Sequence, residues 1–447
     1  MSYYGKSIMK ISGGNPLSGS VKIQGSKNAV LPIMAACILV KGQTIIRNCP
    51  KITDVFYMKK LLQSIGCRVI ECIENDSGMT LAIDATNISH YRFPNEYVER
   101  MRSSIVLLGP ILSRMKYAIL KQPGGCTIGK RPIDMHIMAL EQIGAVIRMQ
   151  EDTIYAQAKQ ETGAFIQFPK QSVGATENAV LFAVKAKGRT ILYNASGEPE
   201  ILELCAFLNR SGAQISIQND TKSCTIIIDG VEELHPVEYD NVSDRIVAGT
   251  YAFAPVISGG EVTLIDAPVS YMESTLDVIG QMGAEIAIEQ ISSCSEQRKT
   301  GNITIKSNGR PRAVDYLETA AYPGFPTDMQ SVFLVASCLA NGKTKLKEKI
   351  FENRFKIISE LKRMGARIEL HTEKGETFVE IDGVETLHGC NVLAKELRGG
   401  AALVLAGLCA TDITTVGNIH FIRRGYENME RDLLRLGAKV SLANDND

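Results

Sequence analysis

Six segments of the chain end a helix-like pattern with glycine, follow it with a small residue and then turn β-branched. They read LLQSIGCRVI, LEQIGAVIRM, FLNRSGAQIS, VIGQMGAEIA, LKRMGARIEL and LLRLGAKVSL, with the glycines at Gly66, Gly144, Gly212, Gly283, Gly365 and Gly437. Four residues before each glycine stands Leu62, Leu140, Leu208, Ile279, Leu361 or Leu433, and three residues after it Val69, Ile147, Ile215, Ile286, Ile368 or Val440. The apolar positions mark the buried stripe of a helix, the glycine takes the left-handed position that stops it, and the β-branched residue opens a strand. A second landmark lies upstream in most copies, where an apolar helix meets a short Gly turn and a strand, at Gly42, Gly188, Gly260 and Gly342. Each unit therefore reads as strand–helix–strand–helix–strand, and six units of about 75 residues account for the 447-residue chain. One unit cannot bury its own sheet and helices, so the units must pack together. A grouping of three and three predicts two similar α/β domains, with the boundary in the polar stretch from His235 to Asp244.

The second unit is longer than its siblings by about five residues, around Lys121-Gln-Pro-Gly-Gly-Cys-Thr-Ile-Gly-Lys-Arg-Pro132. An insertion in one copy of a repeat is a functional loop by default. It carries Cys126 among three glycines, five residues before Arg131. Nearby cations favour the thiolate, and a thiol on an exposed loop can serve as nucleophile or proton donor. The chain has 11 cysteines, no C-x-x-C pair and no apolar leader segment at its start, which predicts a reduced, soluble, cytoplasmic protein with ten cysteines as small hydrophobes.

Lys+Arg and Asp+Glu both number 49, so there is no basic field of the kind that nucleic acid or an acidic membrane surface requires. Charge is focused locally instead. Lys27, Arg102, Arg131, Arg354, Arg398 and Arg424 all stand close to loop or helix starts. Taken singly, each reads as well as a solvated surface charge. Lys27 and Arg398 precede long apolar helices, where a cation at the N-terminus points toward an anion site. Asp328, in Phe-Pro-Thr-Asp-Met-Gln, reads either as a helix cap or as a base for a substrate hydroxyl. The six histidines form no metal pattern, and His136 reads as a structural residue or as a donor to a ligand. Neither a Walker A sequence nor a G-x-G-x-x-G fingerprint is present.

Taken in order, Gly-Ser-Lys-Asn-Ala-Val-Leu-Pro (25–32), Met-Arg-Ser-Ser (101–104), Pro-Gly-Gly-Cys-Thr-Ile-Gly (123–129), Arg-Pro-Ile-Asp-Met-His (131–136), Ser-Val-Gly-Ala-Thr-Glu-Asn (172–178), Glu-Pro-Glu (198–200), Asp-Arg-Ile (244–246), Phe-Pro-Thr-Asp-Met-Gln (325–330), Phe-Glu-Asn-Arg-Phe (351–355) and Arg-Gly-Tyr-Glu (424–427) cover nearly the whole chain. Together they resemble the enolpyruvyl transferases, and within them the branch acting on UDP-N-acetylglucosamine. The resemblance implies two inside-out α/β barrel-like domains, each of three βαβαββ units. Residues 22–240 would form one domain, carrying a mobile Cys126 loop. Residues 1–21 and 241–447 would form the other, with the active site in the cleft between them and a hinge near residues 22 and 240.

The implied reaction joins phosphoenolpyruvate to the 3′-hydroxyl of UDP-N-acetylglucosamine through a tetrahedral intermediate and releases phosphate, as the first committed step of peptidoglycan precursor synthesis. By motif, Cys126 is the proton donor, forms a covalent phosphoenolpyruvate adduct and is the target of the epoxide fosfomycin. Asp328 is the base. Lys27, Arg131, Arg354, Arg398 and Arg424 hold phosphoenolpyruvate and its phosphate, and Asn28 orients the intermediate. The nucleotide sugar would lie against Arg102, Ser103, Arg131, Pro132, Ile133, Asp134, Met135, His136, Ser172, Val173, Gly174 and Ile350, with Lys27, Asn28, Asp328 and Arg354 completing the substrate contacts. No metal, organic cofactor or obligatory protein partner is implied. The shikimate-pathway branch of the family would show Gly-Ser-Lys-Ser in place of Gly-Ser-Lys-Asn and would lack the cysteine loop. Four positions depart from the family pattern: Glu396 stands where Asp is usual, Gly399-Gly400 where an Ala/Ser-type pair is more common, Val106 where some members carry Trp near the nucleotide, and Gly197 where a basic residue is frequent. These departures are expected to alter helix entry or nucleotide packing while leaving every residue with a chemical role in place.

Overall fold

A computed structural model describes residues 7–73, 78–124, 128–129, 131–219, 223–295, 298–373 and 376–444. All six repeat glycines hold positive φ, at 107°, 117°, 103°, 96°, 93° and 84° in chain order, a region that side chains with a Cβ enter at a cost. Each follows a helix: Thr53–Ser64, Asp134–Ile143, Pro199–Arg210, Glu273–Gln281, Ile358–Arg363 and Met429–Arg435. Each leads directly into a strand: Arg68–Ile73, Ala145–Gln150, Gln214–Asn219, Glu285–Ser295, Arg367–Glu373 and Lys439–Asn444. The first five of these strands pair antiparallel with the strand that follows them in the chain. The sixth is the last strand among the described residues. Its partner is Ser7–Ser12 from the start of the chain, with Ile11 opposite Val440.

One sheet forms per repeat among the described residues, five of them four-stranded. In each four-stranded sheet a short edge strand runs parallel to its neighbour and the other pairings are antiparallel, as in the set Tyr316–Glu318, Lys343–Glu348, Glu376–Asp382 and Arg367–Glu373. The second repeat has three strands, and its edge position is reduced to a single parallel bridge between Arg92 and Ile119.

The other helix in most repeats is buried nearly all round and has little face to offer water. Every residue of Gln330–Leu339 is buried, as is all of Leu397–Cys409 except its last residue and all of Lys27–Ala36 except Asn28. The helices Arg245–Ser258, Gln330–Leu339 and Leu397–Cys409 pack on one another, and Leu108–Met115 packs on Val173–Ala183. Helices inside and sheets outside is the inside-out arrangement that the resemblance implies for the two α/β domains read from the repeats.

The chain divides into two compact units. One comprises Met1–Gln24, Thr127–Lys130 and Ser243–Asp447, and the other Gly25–Cys126 and Arg131–Val242. Each buries its own apolar core, the first running from Met9 to Val440 and the second from Val30 to Tyr239. Among the described residues no helix is long and apolar enough to cross a membrane.

Candidate active site

In the unit Gly25–Cys126 and Arg131–Val242, Lys27 opens the first buried helix. Ser26 caps that helix by accepting from the Ala29 N–H at 3.3 Å. The loop before it is fixed in three ways. Ser26 N–H donates to the Val242 carbonyl, and the Asn241 amide donates to the carbonyls of both Ser26 and Asn48, at 3.1 Å each. Gly25 lies so close to the Asn48 carbonyl that a Cβ would overlap it. Lys27 is 8 % exposed, and its ammonium sits 2.7 Å from the carboxylate of Asp54, itself 1 % exposed. A buried cation needs such a counter-charge. Asn28, the next residue, is the half-buried member of the helix.

Arg102 and Arg131 are also brought together. Arg102 Nη2 donates to the Arg131 carbonyl and Nη1 donates to the Pro123 carbonyl at 3.4 Å. Burial, and then the Arg131 charge, push Arg102 down to about 10. The Arg131 charge is felt at Arg102, and an anion beside the two would relieve that repulsion. Ser103 is half-buried beside Arg102, while Pro132 and Asp134 are exposed and Ile133 and Met135 are core residues. His136, buried behind this segment, is pushed down to about 3 by burial and then by Arg102 and Arg131, so it is neutral at physiological pH. Ser172 caps the helix Val173–Ala183 through the Ala175 N–H, and Gly174 lies against the His136 ring. Nearby, burial pushes the Glu177 carboxyl up to about 8, with Glu200 adding to the shift and Arg131 opposing it.

In the other unit the central feature is Asp328. It lies on the turn Thr327–Met329 and does not cap the helix that follows with its side chain. Its carboxylate is instead clamped by two arginines, Arg354 Nη2 at 2.7 Å and Arg398 Nη2 at 3.3 Å. Both guanidiniums are almost fully buried, at 2 % and 4 % side-chain exposure, whereas the aspartate is 27 % exposed. Burial opposes the Arg398 charge, but Asp328, then Tyr426 and Asp244, hold it above its ordinary range. The Arg398 guanidinium stands 5.7 Å from the centre of the Tyr426 ring. Its Nη1 is buried and finds no acceptor among the described residues. Arg424, half-buried, ends the turn two residues before Tyr426. Ile350 is 40 % exposed, with its N–H held by Glu348 at 2.8 Å.

The departures acquire reasons here. Glu396 caps the helix of Arg398 by accepting from the Arg398 N–H at 2.8 Å and from the Gly399 N–H. A Cβ on Gly399 would lie 2.6 Å from Glu396 Oε1 and inside contact distance of Ile357 Cγ2, and one on Gly400 would lie 2.9 Å from Ala394 Cβ and Ile422 Cγ1. The longer acid and Gly399 therefore fit one another, while Gly400 makes room for Ala394 and Ile422. Gly399→Ala is expected to destabilise the fold by about 1–3 kcal/mol. The added change Glu396→Asp should return part of that loss in chemical denaturation. Val106 is fully buried and acts as a core residue, and Gly197 is half-buried just before the helix Pro199–Arg210.

Cys126 lies outside the described residues. Of its loop, the Ile128 carbonyl accepts from the Asn353 N–H at 2.9 Å, and the Glu352 carboxylate lies where a Cβ on Gly129 would stand. Sequence reasoning missed several residues that hold the candidates in place. Asp54 balances Lys27 and Tyr426 underlies Arg398. Glu348 accepts from Thr327 Oγ1 at 3.0 Å and from the N–H groups of Ile350 and Phe351, tying the Asp328 turn to Ile350. Asp54 carried only the signal of an acidic residue in a first helical turn, which reads as a dipole complement.

The chain resembles known proteins along almost its full length. A family model described as EPSP synthase (3-phosphoshikimate 1-carboxyvinyltransferase) matches residues 11–433. The UDP-N-acetylglucosamine 1-carboxyvinyltransferase 2 of Caldanaerobacter subterraneus subsp. tengcongensis is 42% identical over 433 residues, spanning 96% of this chain and 98% of that one. The UDP-N-acetylglucosamine 1-carboxyvinyltransferase of Paracoccus denitrificans is 40% identical over 432 residues, spanning 96% and 97%. Among solved structures, the enolpyruvyl transferase NikO from Streptomyces tendae superimposes with a TM-score of 0.85 at 24% identity, covering 98% of this chain and 99% of that one. An EPSP synthase from Acinetobacter baumannii gives 0.74 at 16% identity, covering 98% and 100%. These two likenesses speak to the fold.

Proposed function

The chain belongs to the enolpyruvyl transferase family, and from that premise we propose that it transfers the enolpyruvyl group of phosphoenolpyruvate to the 3′-hydroxyl of UDP-N-acetylglucosamine, with release of inorganic phosphate. The observation that carries this reading is the identity of 42% over 96% of the chain with an enzyme named for that transfer. The step would be the first committed one of peptidoglycan precursor synthesis.

The reaction has two halves. In the addition, the sugar oxygen forms a bond to C2 of phosphoenolpyruvate. The electron pair of the C2–C3 double bond takes a proton at C3 from the Cys126 thiol, and the hydroxyl proton passes to Asp328. In the elimination, the C2–phosphate bond breaks, C3 returns its proton to the thiolate, the double bond re-forms and Asp328 gives its proton to the departing phosphate. Cys126 and Asp328 thus end as they began. In a separate, reversible step the Cys126 sulfur bonds to C2 of phosphoenolpyruvate while the double-bond electron pair takes the thiol proton at C3, and loss of that proton and of the thiolate restores both. The clamp of Arg354 and Arg398 on Asp328 supports its part, because it fixes the direction of the carboxylate before substrate arrives.

Phosphoenolpyruvate brings a phosphate and a carboxylate, and charge develops on the departing phosphate. Lys27, Arg131, Arg354, Arg398 and Arg424 meet those charges, and Asn28 orients the tetrahedral intermediate. Fixed cations stabilise such a transition state because they need no reorganisation as the charge appears. The open Nη1 of Arg398 supports a role in anion binding. The nucleotide sugar is assigned to Arg102, Ser103, residues 131–136, Ser172, Val173, Gly174 and Ile350. The reading draws on residues of both units, places the enzyme in the cytoplasm, and calls for no metal, organic cofactor or protein partner.

The rival acceptor is shikimate 3-phosphate, which the description of the family model favours. Phosphate release from phosphoenolpyruvate separates the two. It is expected to depend on UDP-N-acetylglucosamine and to stay at background with shikimate 3-phosphate. The reverse pattern would overturn the proposal.

A further inference from the structure

We propose that Asn178 is a positioning residue that holds His136 as a neutral Nε2–H donor for an acceptor oxygen of the nucleotide sugar. The inference deepens the functional reading above and rests on it for the identity of the ligand.

Asn178 lies in the helix Val173–Ala183 and is fully buried. Its amide meets two backbone groups of opposite sense. The Gly109 N–H donates to Oδ1 at 2.8 Å, and Nδ2 donates to the Ile105 carbonyl at 2.9 Å. An N–H can only donate and a carbonyl can only accept, so these partners fix which end of the amide is nitrogen. That nitrogen also faces His136 Nδ1 at 2.8 Å. An amide nitrogen has no lone pair to offer, so Nδ1 must be the acceptor. In a neutral imidazole the proton then sits on Nε2. Burial and the neighbouring Arg102 and Arg131 keep the ring neutral.

The Nε2–H so created has a use. His136 is 5 % exposed, and among the described residues no group accepts from Nε2. Nε2 is not one of the fully enclosed polar atoms that lack a partner, so this edge of the ring keeps contact with solvent, where a ligand oxygen can take the place of water. The edge of the ring is left open by Gly174, where a Cβ would lie 2.9 Å from Cε1 and 3.2 Å from Nε2. The same amide ties the ring to the turn Arg102–Leu107 through Ile105, so one side chain sets His136 and the segment carrying Arg102 and Ser103 in a common frame.

The test uses the full chain with isotope-labelled histidine. Long-range proton–nitrogen spectra, with the His136 signals assigned by their loss in His136→Gln, should show the Nε2–H tautomer in the unaltered protein. Asn178→Asp keeps the Gly109 contact but turns an oxygen toward Nδ1, so the His136 pattern should move to a protonated Nδ1. KM for UDP-N-acetylglucosamine should rise about tenfold, the value of one lost hydrogen bond, with kcat within about threefold. Gly174→Ala should raise KM similarly while retaining the Nε2–H pattern, and it serves as the test of ligand contact if Asn178→Asp does not fold. An Nδ1–H tautomer in the unaltered protein, or an unchanged KM in the folded variants, would overturn the proposal. If the unaltered enzyme does not turn over UDP-N-acetylglucosamine, the functional reading fails, and the spectrum still decides the arrangement of Asn178 and His136.

Discussion

Asp328→Asn is expected to lower kcat about a thousandfold, within the range of roughly 10²–10⁴ for loss of a general base. The substitution keeps the shape and removes the charge. It therefore acts twice. The hydroxyl proton loses its destination, and the buried guanidiniums of Arg354 and Arg398 lose the ionised partner now at 2.7 and 3.3 Å. Breaking a buried ion pair costs about 3–5 kcal/mol. The 27 % exposure of the aspartate points to the lower end, about 3 kcal/mol. Steady-state kinetics and chemical denaturation separate the two effects. A kcat within tenfold of the unaltered enzyme would remove Asp328 from the role of base, whatever the stability.

Asp54→Ala carries the second large effect, and it concerns a residue with no assigned chemistry. The Lys27 ammonium is left buried without its carboxylate at 2.7 Å, at an expected cost of about 3–5 kcal/mol. The double variant Lys27→Met with Asp54→Leu removes both charges and should recover most of that stability, because apolar groups of similar volume replace buried ion pairs at little net cost. Turnover should behave differently. Loss of one fixed group that stabilises transition-state charge costs about 10²–10³ in kcat, so the double variant should be folded and nearly inactive. Recovery of activity along with stability would make Lys27 a structural residue.

The fold was legible where a local backbone demand determines the residue. A positive φ at the end of a helix selects glycine, and all six repeat glycines stand at such a place. The partner of the last strand was not legible from spacing, since Ser7–Ser12 comes from the opposite end of the chain and its pattern does not announce which edge it will fill. The loss of an edge strand in the second repeat was equally silent, since Arg92 and Ile119 meet in only one bridge.

The candidate site follows the same division. Motifs identified the charged residues, but the pairs that orient them are separated by 26, 70, 42 and 69 residues for Asp328–Arg354, Asp328–Arg398, His136–Asn178 and Gly109–Asn178. No periodicity encodes such contacts, because they depend on which helices the units bury together. Glu396 illustrates the limit from another side. Its departure from the expected aspartate suggested an altered helix entry, and the space beside Gly399 explains how the longer side chain still caps the helix.

The product itself identifies the acceptor of the enolpyruvyl group. The most direct measurement is mass spectrometry of the nucleotide sugar after the full-length enzyme has acted on phosphoenolpyruvate and UDP-N-acetylglucosamine. A product heavier by one enolpyruvyl group is expected, with the added mass on the N-acetylglucosamine moiety and one phosphate released for each product formed. An unmodified nucleotide sugar, alongside enolpyruvyl transfer to shikimate 3-phosphate in a parallel reaction, would contradict the proposed acceptor.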